Sequence, residues 1–257
     1  MIKITPLFSG SKGNSTLIQT DKVSILLDMG YCYKQITARL AESGLDAKDI
    51  DGIVITHEHS DHISALPLWT RSFDTQIYAP ELIADYIRQR TYGNNVEEIT
   101  GSFVIGDVKI DCYECSHDSR VCYGYRFSVG EDSVASVTDT GCFNDGLIGF
   151  LAPCSTVQLE SNHDEDMLKH GSYHYLLKKR ILSDSGHLSN AQTAEILARL
   201  ASGKLKNVIL AHLSEENNTK ELAFNSAFEA LKKSGRVEGR DVRIYIADQY
   251  TNRFTIC

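Results

Sequence analysis

The chain has 257 residues, of which 42% are hydrophobic and 23% are charged, a composition that excludes a disordered chain, a collagen and a coiled coil. It contains no run of 18 apolar residues, and its start lacks the pattern of a cleaved signal peptide, so we expect a cytoplasmic protein without a membrane partner. The net charge of −8 argues against a broad basic face for nucleic acid, although it leaves room for the local contacts of a nuclease.

Apolar runs rich in valine and isoleucine predict strands through the first half of the chain. These runs are Val23–Leu27, Gly52–Thr56, Gln76–Ala79, Val108–Cys112 and Val134–Val137. A helix is predicted after Pro80, from Glu81 to Arg90. The second half predicts helices at about Asp166–Arg180, Asn190–Ala201 and Thr219–Lys233, and strands at Thr156–Leu159, Val208–Ala211 and Arg243–Ala247. Because no linker divides the chain, we expect one layered α/β domain over residues 1–257.

Seven cysteines are an odd number, and they are scattered through strand-like segments. Cys112 and Cys115 form one C-x-x-C pair, but Cys122 and Cys142 do not supply a convincing second pair for a structural zinc site. We therefore expect free thiols in a reducing compartment.

The segment that follows the strand at Gly52–Thr56 carries four metal-ligand side chains within six residues. They are His57, His59, Asp61 and His62. Imidazole and carboxylate groups bind zinc, iron or manganese. The alternate spacing lets His57 and His59 face one ion while Asp61 and His62 face another. A chance match to this pattern is improbable, on the order of 10⁻³.

Further ligand-type residues follow other predicted strands, where open α/β sheets place their ligands. They are Asp28, His117, Asp139, His163 and His212. With His187, seven of the nine histidines would be drawn into one site, which favours a dinuclear centre. The remaining two, His170 and His174, are spaced i,i+4 on the helix predicted over Met167–Arg180, where a solvated or packing role is favoured.

These motifs, in this order, resemble those of the metallo-β-lactamase fold superfamily over nearly the whole chain. The resemblance implies an αββα sandwich, in which two facing mixed β-sheets are flanked by helices. It also implies two divalent ions, Zn, Mn or Fe, that share a bridging hydroxide as nucleophile. One ion would be held by His57, His59 and His117 and the other by Asp61, His62 and His212, with Asp139 between them and Asp28 orienting a ligand.

Three further segments resemble the YycJ/WalJ family within that superfamily. They are the stretch Ser9-Gly10-Ser11-Lys12-Gly13-Asn14, the stretch Gly186-His187-Leu188-Ser189-Asn190, and the residues after His212. The resemblance implies a 5′-to-3′ exonuclease on double-stranded DNA with a link to DNA repair. Intervals of 24, 24 and 25 positions separate Asp139, His163, His187 and His212, which leaves no room for an inserted β-CASP domain.

The remaining site residues are assigned by chemistry and by the same resemblance. We expect Asp61, His163 and Asp28 to act in catalysis, with His163 oriented by Asp164 or another acid and donating a proton to the leaving oxygen. His163 resembles the first position of the His-Glu-Ala-Thr motif of ribonuclease Z. His187 is expected to be structural or to support a ligand. Candidates to hold phosphate are Ser9, Ser11, Asn14, Ser214 and Asn217.

Three functions are weighed on this evidence. The leading one is a DNA exonuclease, for which the cluster Lys178-Lys179-Arg180 could contact DNA, although cations also suit a helix C-terminus. The second is a hydrolase of a small cyclic phosphodiester, lactone or thioester, which the acidic balance favours slightly. The third, a metal-binding module without catalysis, is disfavoured because the ligand set is complete.

Overall fold

The computed structural model describes residues 1–93, 95–250 and 254–257. A first sheet has six strands, which lie side by side in chain order. They are β1 (Lys3–Phe8), β2 (Ser15–Gln19), β3 (Ser24–Leu27), β4 (Gly52–Val54), β5 (Ile77–Pro80) and β6 (Val96–Ile99). Strands β1 to β3 pair antiparallel, whereas β3 to β6 pair parallel, so the sheet is mixed.

The second sheet has seven strands in the spatial order β13-β12-β11-β10-β9-β8-β7. They are β7 (Phe103–Ile105), β8 (Val108–Glu114), β9 (Tyr123–Val129), β10 (Asp132–Val137), β11 (Thr156–Glu160), β12 (Asn207–Ala211) and β13 (Arg243–Ile246). In this sheet β7 to β10 pair antiparallel, and β10 to β13 pair parallel. Five of the parallel strands, β3, β4, β10, β11 and β12, are followed within three residues by a predicted ligand-type residue, whereas β5, β6 and β13 are not.

Nine helices are described. They are α1 (Tyr33–Glu42), α2 (Ser60–Ile63), α3 (Leu66–Ser72), α4 (Glu81–Arg88), α5 (Asp145–Leu151), α6 (Glu165–His170), α7 (Tyr175–Ile181), α8 (Asn190–Leu200) and α9 (Lys220–Lys233). None of these helices combines the length and apolarity needed to cross a bilayer. All seven cysteines lie in the described ranges and all are free, as the sequence predicted.

Three apolar clusters define the layers. One packs the first sheet against α1, α3 and α4, with Ile36, Trp69 and Ile83 at its centre. A second packs the other sheet against α5, α8 and α9. The third lies between the sheets, where the buried Tyr125 hydroxyl donates to the carbonyl of Ile55 at 2.7 Å. The predicted αββα sandwich is confirmed.

The predicted helix over Asp166–Arg180 is wrong in one respect, because it is two helices, α6 and α7, separated by Gly171–His174. Gly171 ends α6 in an extended conformation, which its low helix propensity permits. His174 then begins α7 as its N-cap, and its ring accepts the amide of Leu176 at 3.3 Å. His170 and His174 are therefore not neighbours on one helical face.

Candidate metal centre

The ends of parallel strands from both sheets bring the ligand-type side chains together at one edge of the sandwich. Asp28 follows β3, Asp139 follows β10 and His212 follows β12. All three adopt left-handed backbone conformations, with φ of 61°, 60° and 55°, which non-glycine residues rarely adopt. Oδ1 of Asp139 lies 3.4 Å from Nδ1 of His212, and Oδ2 of Asp28 lies 2.7 Å from Nδ1 of His62.

The first group of ligand atoms comes from His57, His59 and His117, whose nitrogens lie within 4.8 Å of one another. Nε2 of His117 lies 3.3 Å from Nδ1 of His59. The ring of His117 is fixed from its other side, where Nδ1 lies 3.1 Å from the carbonyl of Gly186. The structure therefore brings together the three histidines that the resemblance assigned to one ion.

The second group consists of Asp61, His62 and His212, which also lie within the reach of a single ion. Nε2 of His62 lies 3.5 Å, and Nε2 of His212 3.9 Å, from the same Oδ2 of Asp61. Asp139 lies between the groups, with Oδ2 3.3 Å from Nε2 of His62 and Oδ1 3.9 Å from Nε2 of His117. Asp139 therefore lies within reach of both groups.

Unpartnered buried atoms test whether these residues fit metal ions. Among the described residues, Nε2 of His57, Nε2 of His212 and Oδ2 of Asp139 are buried without a hydrogen-bond partner. Nδ1 of His57 lies 2.9 Å from the hydroxyl of Thr56, so only Nε2 is left to bind. Burial lowers the pKa of His57, which keeps its ring neutral, as a metal ligand must be. The donor set therefore fits divalent cations.

Asp28 supports His62 from behind. Its Oδ2 lies 2.7 Å from Nδ1 of His62, and its two oxygens accept the amide and hydroxyl of Thr56, each at 2.9 Å. A carboxylate in this position fixes the tautomer and the orientation of a ligating histidine. Asp28 thus acts through His62. It is not among the described residues that line the cavity.

Glu160, the last residue of β11, is a functional candidate that the sequence analysis missed. Its Oε1 lies 2.8 Å from Nδ1 of both His187 and His212. Its Oε2 accepts the amides of Thr140 at 3.1 Å and Leu188 at 3.2 Å, so the fully buried carboxylate is satisfied. Burial alone would raise the pKa of Glu160, but the two histidines lower it, and the group stays ionised.

Signals for Glu160 were present in the sequence. It is an acidic residue at the end of an apolar strand, like Asp28 and Asp139, and it lies three positions before His163. The sequence analysis gave the role to His163. In the structure, Glu160 at the end of β11 is the residue that contacts the ligand His212.

The expected hydrogen bond from Asp164 or another acid to His163 is not found among the described residues. The Asp164 carboxylate accepts the amide of Met167 at 2.9 Å and caps α6. Both ring nitrogens of His163 are buried without a hydrogen-bond partner among the described residues. Burial lowers the pKa of His163 to about 4, so its ring is neutral at cellular pH and holds no extra proton to donate.

A cavity of about 240 Å³ opens above the metal-ligand groups. Its described lining includes His59, Asp61, His117, Asp139, His187 and His212 of the cluster, with Ser11, Asn162, Tyr173, Leu177, Arg180, Ile181 and Ser214 around them. His187 is thus the histidine outside the two ligand groups that reaches the cavity, whereas His163 is not part of the described lining.

Arg180 brings a positive charge to the cavity, and the sequence had left its role open. Its Nη2 lies 2.9 Å from Oδ1 of Asp118, and its Nε donates to the other oxygen. The guanidinium lowers the pKa of Asp118. Because Asp118 follows His117 directly, this ion pair ties α7 to a residue of the first ligand group.

The five predicted phosphate-holding residues fall into two sets. Ser11 and Ser214 line the cavity. Ser9 instead accepts the amide of His212 at 2.8 Å, and Asn14 accepts the amide of Gly10 at 2.9 Å while its Nδ2 lies 3.0 Å from Nε2 of His62. Asn217 is 1% exposed and is outside the described lining. Ser9 and Asn14 therefore support the ligand residues His212 and His62.

Gln249 holds the loop that carries Ser11 in place through two hydrogen bonds, which the sequence analysis did not predict. Its Oε1 accepts the amide of Lys12 at 2.8 Å and its Nε2 donates to the carbonyl of Gly13 at 2.8 Å. One buried amide side chain therefore binds two adjacent backbone groups directly after Ser11.

Comparison with known proteins agrees with this fold. A family model described as "Beta-lactamase superfamily domain" matches residues 25–213, so the chain belongs to the β-lactamase superfamily. In structure, the chain resembles the metallo-β-lactamase fold protein YhfI from Bacillus subtilis, with a TM-score of 0.76 and 17% identity over 99% of this chain and 98% of that one.

Two curated relatives identify the family within the superfamily to which the chain belongs. Exodeoxyribonuclease WalJ from Streptococcus pneumoniae serotype 2 is 37% identical over 95% of this chain and 93% of its own length. Exodeoxyribonuclease YycJ from Bacillus anthracis is 36% identical over 94% of both chains. The chain is thus a member of the WalJ/YycJ family of hydrolases, as its motifs predicted.

Proposed function

We propose that the protein is a metal-dependent exodeoxyribonuclease that removes nucleotides from the 5′ end of double-stranded DNA, with a role in DNA repair. The observation that carries this proposal is the similarity to WalJ and YycJ over nearly the whole chain, joined to two complete ligand groups at the base of one cavity. The free cysteines suit the reducing cytoplasm, where such a substrate is found.

Two divalent ions fit the site. His57, His59 and His117 would hold one and Asp61, His62 and His212 the other, with Asp139 shared between them. When bound, the ions supply a water nucleophile of lowered pKa and stabilise the charge that develops on the phosphoryl oxygens. Zinc, manganese and iron all suit these ligands.

The chain's own groups position and protonate the substrate. Ser11, Ser214 and Arg180 line the cavity with two hydroxyl groups and a cation, which are donors suited to phosphate oxygens. Asp28 and Glu160 fix the rings of His62 and His212 from behind. Ser11, Ser214 and Arg180 would orient the scissile phosphate before the reaction begins.

His187 replaces His163 as the proposed proton donor. Its Nδ1 is held by Glu160, its side chain is 15% exposed into the cavity, and its Nε2 has no carboxylate partner among the described residues. A histidine oriented in this way would protonate the oxygen of the departing nucleotide strand, which is a poor leaving group.

A small phosphodiester is the second candidate substrate. The cavity of about 240 Å³ has room for little more than the scissile group and its neighbours, and the net charge of −8 disfavours extended contact with DNA. In this case the same groups would act on a cyclic phosphodiester, lactone or thioester.

Digestion of end-labelled duplex DNA separates these candidates. We expect manganese- or zinc-loaded protein to release mononucleotides stepwise, at different rates from 5′-phosphate and 5′-hydroxyl ends, and we expect Asp139→Ala to lose this activity. Intact DNA after incubation with protein that holds two metal ions per chain would transfer the proposal to the small substrates.

A further inference from the structure

A basic and apolar groove lies on the face of α7 that does not line the cavity. It has a volume of about 520 Å³, and its described lining is Lys169, Tyr175, Lys178, Lys179, Leu182 and Ser183. Positions 175, 178, 179 and 182 are spaced i, i+3, i+4 and i+7, so they form a single stripe along the helix. We call this feature the α7 groove.

The charge of the α7 groove is the opposite of the chain's charge as a whole. Three ammonium groups line it, and no carboxylate is part of its described lining, in a protein of net charge −8. Lys169 is paired with Glu165 at 2.9 Å, whereas Lys178 and Lys179 make no ion pair within the described ranges. The Lys178 ammonium donates instead to the carbonyls of Lys169 and Gly171. Two positive charges thus remain without a counter-charge.

Apolar side chains lie exposed among these lysines. Tyr175 is 71% exposed and Leu182 is 45% exposed. An exposed aromatic ring beside positive charges is the combination with which proteins bind single-stranded nucleic acid, because bases stack on the ring and phosphates meet the cations. Lysine alone would suit any polyanion, but the ring favours one that carries bases.

The same helix also borders the proposed reaction centre. Leu177, Arg180 and Ile181 of α7 line the catalytic cavity, on the opposite side of the helix from the α7 groove. From Tyr175 to Leu182 the helix rises about 10 Å, which is about three nucleotide steps of a DNA strand. A strand that leaves the cavity would have to pass around α7, which is about 10 Å wide, before it enters the groove.

We infer that the α7 groove binds the DNA strand a few nucleotides away from the scissile phosphate, with an unpaired base on Tyr175 and phosphates at Lys178 and Lys179. This inference rests on the proposed function and names the part of the surface that holds the polymer. It also accounts for DNA binding by an acidic chain, because only a local strip of the surface needs to be positive.

Matched variants test this inference. Lys179→Glu reverses one charge in the last turn of α7, and Lys233→Glu makes the same change in the last turn of α9, so net charge and helix position are matched. The probe is a fluorescent duplex with a frayed end and phosphorothioate linkages, bound to metal-loaded protein. We expect Lys179→Glu to raise Kd about tenfold and to flatten the dependence of log K on log salt by about one unit. Lys233→Glu should leave both unchanged.

Tyrosine variants test stacking separately from charge. Tyr175→Ala should raise Kd by at least about fivefold, whereas Tyr175→Phe, which keeps the ring, should bind as the parent protein does. Metal content and Tm are measured for every variant, so that a loss of binding is counted only in folded, metal-loaded protein.

Several results would overturn the inference. Equal effects of Lys179→Glu and Lys233→Glu would show a general charge effect, and a dimer that Tyr175→Ala converts to monomer at constant DNA affinity would make the groove a contact between copies. If the parent protein degrades DNA while Lys179→Glu binds normally, the α7 groove fails alone. If the parent protein neither binds nor degrades DNA, the proposed function fails with it.

Discussion

Oε1 of Glu160 lies 2.8 Å from Nδ1 of His187, so a fully buried carboxylate holds a histidine that lines the cavity above the metal-ligand groups. Because the carboxylate holds Nδ1, the ring is fixed in one orientation with its other nitrogen left for the substrate. This geometry supports the proposed proton transfer from His187, which kinetics on two substrates can test.

We expect His187→Ala to lower kcat on DNA about 10²- to 10⁴-fold, because the departing oxygen then leaves without a proton. Hydrolysis of bis(4-nitrophenyl) phosphate, whose leaving group needs no proton, should fall much less. Steady-state kinetics on both substrates provides the measurement. His163→Ala is the comparison variant, and its kcat per metal-loaded chain should stay near that of the parent. Equal losses on both substrates would remove the proton-donor role.

Asp28→Asn tests the support of His62. The amide keeps the size of the side chain but weakens the hydrogen bond that holds Nδ1 of His62 at 2.7 Å. We expect metal affinity to fall about 10- to 100-fold, as for other ligand-supporting carboxylates. Titration of the metal-free protein with zinc in a competing chelator measures this change. Asp51→Asn changes a carboxylate that accepts the amide of Ser24, away from the ligands, and should bind zinc as the parent does.

Gln249→Ala removes both hydrogen bonds that clamp the Ser11 loop. We expect a loss of about 1–2 kcal/mol in the free energy of unfolding, since two backbone groups, one buried and one partly buried, lose their partners. KM should also rise because Ser11 is no longer held at the cavity. Urea denaturation and kinetics measure the two effects. Gln89→Ala, at the exposed end of α4, should change neither, and an unchanged KM in Gln249→Ala would separate the loop from substrate binding.

Asp111 predicts a dependence of stability on pH. Burial would raise its pKa, but Lys109, Ser102 and Arg126 outweigh it and lower the pKa to about 2. A carboxyl group with a folded pKa below its unfolded value stabilises the protein above the unfolded pKa, about 4, and loses this contribution as the pH falls towards 2. We expect Asp111→Asn to reduce the slope of unfolding free energy against pH between about 4 and 2. A slope identical to that of the parent would contradict this assignment.

Strand ends were the reliable signal in the sequence. Apolar runs followed by His or Asp predicted Asp28, His57, Asp139 and His212 at one edge, because parallel strands in a layered fold end on the same side. The register beyond the end of β11 was not predictable, since the backbone turns after Glu160 and His163 pairs with Ser189 instead of facing the centre. The local sequence pattern therefore could not show that the site uses the carboxylate of Glu160 instead of Asp164. Nor could it show that His187 lines the cavity instead of His163.

The helical periodicity of the sequence also did not predict the break between α6 and α7. Apolar spacing continues across Gly171–His174, and only the cap formed by His174 and the carbonyl contacts of Lys178 reveal two helices. The contacts of Gln249 were unpredictable for another reason, because they join residues more than 230 positions apart in the chain.

The left-handed backbone at Asp28, Asp139 and His212 has a consequence for how this fold changes over time. Each residue holds a conformation that costs a side-chain-bearing residue about 1 kcal/mol and costs glycine almost nothing. While hydrolysis is under selection, the function of the side chains outweighs this cost. In a lineage that no longer needs the reaction, glycine and asparagine should accumulate at these three positions sooner than alanine, and the descendants should become more stable as they become inactive.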